Sequence, residues 1–188
     1  TDFTPLGTLR SPAGNVLHMR MDEPSWPATA GAVLDLSKAG NHGTAVGGPP
    51  TVANGKYASA GGFDGSNDYV STALVIDQSS ATSSGASFAA WPYPTSISAN
   101  DHFVISTDNG GNDWGLLRNA GTWYVANGSD GALVNTGVTV DVNSWQHLTV
   151  IFNPASGVTL YKNGVPVWSD AGIDFDETTA AVHLGRRG

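Results

Sequence analysis

The segment "VTLYKNGVPVW", Val158–Trp168, specifies a β-hairpin and through it the class of fold. Asn163 and Gly164 stand between two runs of β-branched and aromatic residues. Both residues tolerate the positive φ angles of a type I′ turn, which matches the twist of two paired strands. We therefore predict two antiparallel strands joined by a two-residue turn at Asn163 and Gly164.

The segment before this hairpin, "SWQHLTVIF" (Ser144–Phe152), has the alternation of another strand. One face would hold Trp145, His147, Thr149 and Ile151, and the other would hold Gln146, Leu148, Val150 and Phe152. Large side chains occur on both faces, as in the interior of a sandwich.

Further short strands are predicted on both sides of this region. The candidates are "VLHMRM" (Val16–Met21), "GASFAAW", "DHFVIST", "WGLLRN" and "TWYVAN". In "FDGSNDYV" (Phe63–Val70), Asp and Gly form a tight polar turn between a strand end and a strand start. Residues 1–15 are predicted to be an arm, and residues 22–51 a long loop rich in Pro and Gly.

The composition agrees with strands joined by turns. The 188 residues contain 24 Gly and 10 Pro, no Cys, and 16 acidic against 8 basic side chains, for a net charge of −8. This balance argues against a nucleic acid partner, because no basic surface is available for phosphates. No apolar run approaches the ~20 residues of a membrane span. We predict an all-β fold, a two-sheet antiparallel sandwich.

Several segments, in their order, resemble the laminin-G-like jelly roll of the concanavalin A-like superfamily. They are "MDE", "DLSKAGNHGT", "NGKYASAGGFDGSNDYV", "SFAAW", "WQHLTVIF", "LYKNGV" and "HLGR". The resemblance implies one jelly-roll domain over residues 16–188. It also implies that the last strand is missing, since the chain stops at "HLGRRG". Either the chain was cut near Arg186 and Arg187, or a neighbouring chain donates the strand; the N-terminal arm is a candidate to fill the same place.

The sequence carries no pattern typical of an enzyme. Related glucanases use paired carboxylates, whereas the two Glu residues here, Glu23 and Glu177, lie far apart in the sequence. Nucleophile, metalloprotease and phosphate-binding motifs are also missing. We expect a protein that is not an enzyme.

The resemblance implies a structural calcium ion (Ca2+) beside the "DLSKAGNHG" loop. Asp35 would supply a carboxylate, Asn41 or His42 a backbone carbonyl, and Asp22 a weaker additional ligand. Calcium takes six to eight oxygen ligands, which Asp-rich loops can provide. The alternative is that Asp35 caps its own loop and that residues 41–43 form an ordinary turn.

A carbohydrate site requires an exposed aromatic platform with polar groups for the sugar hydroxyls. The candidate residues surround two predicted strands and their turns: Asn112, Asp113, Trp114, Trp123, Tyr124 and Asn127. Trp123 could equally belong to the core. Trp91 and Trp145 stand where the family resembled buries aromatic residues, so we expect them inside.

Two functions follow from these observations. The first is a non-catalytic extracellular binding or adhesion module that recognises carbohydrate or another extracellular ligand. The second is an assembly protein, a cell-surface, filament or virion component that uses the sandwich as a building block. The extracellular location rests on the resemblance and on the acidic, Cys-free composition.

Overall fold

The computed structural model describes residues 14–78, 83–107, 114–128, 133–172 and 180–186, and within these ranges every regular element is a β-strand. The strands are β1 (Thr44–Val46), β2 (Thr51–Val52), β3 (Ala60–Gly61), β4 (Tyr69–Val75), β5 (Ala86–Ala90), β6 (His102–Ser106), β7 (Gly115–Asn119), β8 (Thr122–Ala126), β9 (Leu133–Thr139), β10 (Leu148–Asn153), β11 (Gly157–Lys162), β12 (Val165–Asp170) and β13 (Ala181–Leu184). Within the described ranges, no helix is long and apolar enough to cross a membrane. The predicted arm, residues 1–15, lies outside these ranges except for its last two residues.

The strands form two large antiparallel sheets and one small hairpin. The larger sheet has the order β1-β4-β13-β6-β7-β8-β9, and the smaller sheet has the order β12-β11-β10-β5. The strands β2 and β3 pair separately. The two large sheets pack face to face around one main apolar cluster, so the predicted all-β, two-sheet jelly-roll fold is confirmed.

The predicted hairpin is present between β11 and β12. Lys162 pairs with Val165, and the turn residues Asn163 and Gly164 have φ angles of 53° and 81°. Positive φ at both positions is the type I′ geometry. The Asn163 side chain adds a second contact, because its Oδ1 accepts the His147 N–H at 2.9 Å.

The strand β10 shows which of its two faces meets the core. Leu148, Val150 and Phe152 are almost completely buried, whereas Thr149 and Ile151 are half-buried on the opposite face. The predicted division of side chains is therefore correct, but only the face with Leu148, Val150 and Phe152 forms the interior. The face with Thr149 and Ile151 is the outward face of the smaller sheet.

The segment "FDGSNDYV" forms the predicted turn. Oδ1 of Asp64 accepts the N–H groups of Ser66, Asn67 and Asp68 at 2.8 to 3.4 Å, and β4 begins at Tyr69. These hydrogen bonds hold the pKa of Asp64 below its ordinary value. The turn is thus organised by one carboxylate that bonds its own backbone.

The prediction of a strand over Val16–Met21 is wrong. Only Met19 forms a bridge, to Asp35, and Met21 has a positive φ of 58°. The segment is instead held by the Asp35 side chain and by packing of Met19 and Met21 against a second apolar cluster. The predicted loop 22–51 contains the strand β1. The strand β9, much later in the chain, was not predicted from the sequence either.

Candidate functional site

Trp114 and Trp123 do not form the predicted sugar platform. Both are completely buried in the main core, where Trp114 stacks on Phe152 with ring centroids 4.9 Å apart and an interplanar angle of 1°. Trp123 donates its indole N–H to Oε1 of Gln146 at 3.1 Å. A ring enclosed in this way has no face left for a ligand, so this part of the prediction is corrected.

The remaining residues of that prediction do not form a platform either. Tyr124 is half-buried on the outward face of the larger sheet, and its hydroxyl accepts Nδ2–H of Asn135 at 2.9 Å. Asn127 is only 7% exposed, and its buried Oδ1 has no hydrogen-bond partner among the described residues. Asn112 and Asp113 lie outside the described residues.

Asp35 organises the loop for which calcium was predicted. Its Oδ1 accepts the N–H groups of His18 and Ser37, each at 2.8 Å. Its Oδ2 accepts the Ser37 hydroxyl at 2.7 Å and the Asn41 N–H at 2.8 Å. A carboxylate offers about four lone-pair positions, so hydrogen-bond donors from the protein use all of them. This is the loop cap that the sequence left as the alternative to a metal ligand.

The side chains of the other predicted ligand residues also have partners, although the carbonyl predicted for Asn41 or His42 belongs to the backbone. Nδ2 of Asn41 donates to the Val16 carbonyl at 2.8 Å, and Nδ1 of His42 accepts the Asp35 N–H at 3.0 Å. Asp22 forms an ion pair with Arg20 at 2.6 Å. Among the described residues no three Asp, Glu or His side chains converge on one point. With its four lone-pair positions used by donors of the protein, the Asp35 carboxylate does not fit the role of a calcium ligand in this arrangement.

The pKa of Asp35 reflects the same network. Burial of the carboxyl group raises the pKa, but the hydrogen bonds from Ser37, His18 and Asn41 outweigh burial and lower it from its ordinary value of 3.8. The charged form is therefore the one that this loop stabilises. The negative charge holds backbone donors from two separate segments of the chain.

An exposed aromatic cluster lies at one end of the smaller sheet. His147 projects outward, because its neighbours Gln146 and Leu148 are both completely buried on the inner side. The rings of Trp91 and His147 lie 4.8 Å apart, and Tyr57 meets Trp91 edge-on at 6.0 Å. Tyr57 is 79% exposed, and Nζ of Lys56 lies 4.5 Å from the centre of the Trp91 ring.

The cluster continues along the sheet through a second pair of rings. Tyr93, which is 42% exposed, and Trp145 have ring centroids 5.1 Å apart. We call the rings of Tyr57, Trp91, Tyr93, Trp145 and His147 the aromatic strip.

The backbone of the strip is an extension of the β5–β10 pairing. Gln146 donates its N–H to the Pro92 carbonyl at 3.2 Å, and Asn143 donates to the Pro94 carbonyl at 2.8 Å. Residues 91–94 therefore run beside 143–147, with alternate side chains on one face. This arrangement brings Trp91 and Tyr93 beside His147 and Trp145.

The expectation that Trp91 and Trp145 are buried is wrong. Both are half-buried, and they contribute to the strip rather than to the core. The signal was present in "SWQHLTVIF", where Trp145 and His147 share the face that proved to be outward. Tyr57 is contributed by the turn between β2 and β3, whose position the sequence did not predict.

Comparison with known proteins supports the architecture just described. No curated protein sequence gives a significant match. Among solved structures, the binding domain of Paraclostridial Mosquitocidal Protein 1 superimposes with a TM-score of 0.67 at 16% identity, covering 87% of this chain and 44% of that one. The receptor binding domain of the botulinum neurotoxin C/D mosaic serotype gives 0.59 at 18% identity, covering 90% and 42%.

A third structure is described by the statement that cell entry of botulinum neurotoxin type C depends upon interaction with two ganglioside molecules. It has a TM-score of 0.51 at 12% identity and covers 87% of this chain and 42% of that one. The chain thus spans less than half of each of these structures, and at such low identity the likeness concerns the fold. The family model Laminin_G_3 matches residues 64–188, about two thirds of the sequence. The chain belongs to this laminin G family of the concanavalin A-like lectin/glucanases superfamily.

Proposed function

We propose that the chain is a non-catalytic, extracellular carbohydrate-binding module that holds a glycan along the aromatic strip. The observation that carries the proposal is the concentration of five rings, exposed or half-buried, on one outward surface, with Tyr57 exposed to 79% and Nζ of Lys56 over the Trp91 ring. Aromatic faces pack against the apolar faces of sugar rings. The Lys56 ammonium group and the His147 ring supply polar contacts for hydroxyl groups.

The shape of the strip favours a linear chain over a single sugar. Trp91 and Tyr93 are alternate residues of one extended segment, so they stand about 6.6 Å apart along it, and Trp145 and His147 repeat this spacing beside them. Successive sugar rings can therefore contact successive aromatic rings. Each contact is weak, and affinity comes from several contacts made together.

The similarity to binding domains supports a binding role. Two of the solved structures are described as binding domains, and the third is described by an interaction with ganglioside molecules. An extracellular location is supported by the resemblance to laminin-G-like modules and by the acidic, Cys-free composition.

The arrangement of the acidic groups supports a non-catalytic role. Glu23 accepts the indole N–H of Trp26 at 2.8 Å and the Leu34 N–H at 2.9 Å, so its carboxylate anchors the loop around it. Asp35 is engaged in the same manner, and Glu177 lies outside the described residues.

The test is a titration of the protein with a panel of linear neutral and acidic polysaccharides, measured by affinity electrophoresis and calorimetry. We expect Trp91→Ala and Tyr57→Ala each to weaken binding about tenfold or more. Tyr124→Phe is the matched control, because Tyr124 lies on the other sheet. No binding by the folded wild-type protein overturns the proposal. If both alanine variants bind as tightly as the wild type, the glycan does not bind at the aromatic strip.

A second candidate function is assembly, favoured by the position of β5. This strand is the last in the smaller sheet, and within the described part of the chain it pairs only with β10. An edge strand offers unpaired backbone groups to an added strand, so a neighbouring chain could donate one here. Mass in solution by light scattering distinguishes the two functions: a binding module remains a monomer, and an assembly unit forms larger species as concentration rises.

A further inference from the structure

We propose that the chain has a second ligand site, an open groove on the outward face of the larger sheet that is lined by small residues, hydroxyl groups and His42 and accepts one neutral sugar residue. The groove has a volume of about 460 Å³, within the ~300–1,000 Å³ of small-molecule sites. It is lined by Ala30, Gly31, Gly40, His42, Thr44, Ser71, Thr72 and Ala73. This inference extends the proposed carbohydrate-binding function to a second surface.

The floor of the groove contains Thr44 of β1 and Ser71 and Ala73 of β4, whose side chains face outward, whereas Thr72 between them is buried. Thr44 pairs with Ser71 across the two strands, while their neighbours Ala45 and Val70 are buried in the second apolar cluster. The wall is formed by the loop that contains Gly31 and Gly40. Gly and Ala leave the concavity open, because they have no side chain long enough to fill it.

His42 offers a hydrogen-bond donor to the groove. Its Nδ1 accepts the backbone N–H of Asp35 at 3.0 Å, so in the neutral ring the proton is assigned to Nε2. Nε2 has no partner among the described residues, and the His42 side chain is exposed at the groove. The bond to Asp35 therefore determines both the orientation of the ring and the atom that can donate.

The hydroxyl groups add donors and acceptors without charge. The Thr44 hydroxyl makes no hydrogen bond to the described residues, and Oγ of Ser71 lies 3.5 Å from Nε2 of His183, the outer limit of a hydrogen bond. Burial, and then the positive charge of Arg186, lower the pKa of His183, so this ring is neutral near pH 7. Among the described residues that line the groove there is no Lys, Arg, Asp or Glu. A polyhydroxyl ligand fits these groups, whereas an anion finds no opposite charge.

The groove and the aromatic strip lie on the outward faces of different sheets. Face-to-face sheets turn these surfaces away from each other, so one straight glycan chain cannot follow both. Two glycan chains can be held at once, one on each side. The module would then connect glycan chains as well as bind them, and connection through two sites raises avidity without any new contact.

The test uses neutral hexasaccharides of several linkages, titrated by calorimetry and by amide NMR. We expect two sites in the wild-type protein, with shifts at Thr44 and Ser71 for the groove and at Tyr57 and Trp91 for the strip. Ala73→Tyr, an exposed position on β4, should block the groove and leave the strip. The double variant Thr44→Val and Ser71→Ala should lower the affinity of the groove for the sugar about tenfold. Thr139→Val, an exposed β9 position, is the control.

The possible results separate this inference from the proposed function. If the protein has one site, lost in Trp91→Ala and unchanged in Ala73→Tyr, the groove is not a ligand site and the proposal for the aromatic strip stands. If the protein has one site, lost in Ala73→Tyr and unchanged in Trp91→Ala, the groove is a ligand site and the proposal for the aromatic strip is wrong. Two sites that respond separately support both. Melting temperatures of all variants identify any that fail to fold.

Discussion

The indole N–H of Trp123 donates to Oε1 of Gln146 at 3.1 Å, and both side chains are completely buried. The same oxygen accepts the Asp141 N–H at 3.2 Å, and the Gln146 amide donates to the Asp141 carbonyl at 2.9 Å. One amide thus joins β8 to the segment that leads into β10. The indole N–H of Trp123 thus has a partner inside the core, while Trp145, the residue directly before Gln146, lies half-buried on the opposite face.

Replacing Gln146 tests this buried bond. Gln146→Leu leaves the Trp123 indole N–H and the Asp141 backbone without partners, so we expect a loss of about 2 to 3 kcal/mol in the free energy of unfolding. Urea denaturation measures it. In the double variant with Trp123→Phe the unpaired indole donor is absent, and the total loss should be smaller than the sum of the two single losses. Additive losses would show that the bond contributes nothing specific.

The stability of the wild-type protein should not depend on calcium. The four hydrogen bonds to Asp35 use the lone pairs that a metal ion would need. We expect the same melting temperature in millimolar calcium and in excess chelator. A ligand that binds the folded state raises this temperature, so a rise of several degrees in calcium would mean that the loop rearranges around the ion.

Asp35→Ala should be strongly destabilising for the same reason. The variant removes the acceptor of three backbone N–H groups and one hydroxyl in a region where Asp35 is only 4% exposed. We expect a loss of about 3 kcal/mol in the free energy of unfolding. Asp22→Ala is the control, because a surface ion pair such as Arg20–Asp22 contributes about 1 kcal/mol or less. Equal losses in the two variants would contradict the role of Asp35.

The contribution of Asp35 should also depend on pH. Its pKa is lowered in the folded protein, so the charged form is favoured by folding. The stabilisation is fully present above the unfolded pKa of about 4 and disappears as pH falls through the lower, folded pKa. The difference in stability between wild type and Asp35→Asn should therefore shrink below pH 4. A difference that stays constant down to pH 2 would exclude this linkage.

The sequence predicted those features that depend on neighbouring residues. Asn163 and Gly164 are sufficient for a type I′ turn, and Asp64 bonds N–H groups within four residues of itself. Each needs only local backbone geometry. The hairpin and the turn could be predicted for this reason.

The candidate site depends on long-range contacts that no local pattern contains. The alternation in "TWYVAN" puts Trp123 and Tyr124 on opposite faces, but the packing of the second sheet decides which face is buried. The strip joins Tyr57 to Trp91 and to His147, across three separate parts of the chain. Asp35 reaches the backbone of His18, 17 residues earlier. These partners became apparent only in three dimensions.

The order of residues in "WPYP", Trp91–Pro94, has a thermodynamic consequence. Proline fixes its own φ near −65° and confines the residue before it to extended conformations, so Trp91 and Tyr93 are each restricted by the following proline. The backbone that carries the two rings is therefore held extended before any ligand arrives. Ordering a flexible segment costs conformational entropy at the moment of binding. In this segment most of the backbone entropy is lost before the ligand binds. Less of the stacking energy is therefore spent on ordering the chain, and even weak stacking contacts add to the affinity.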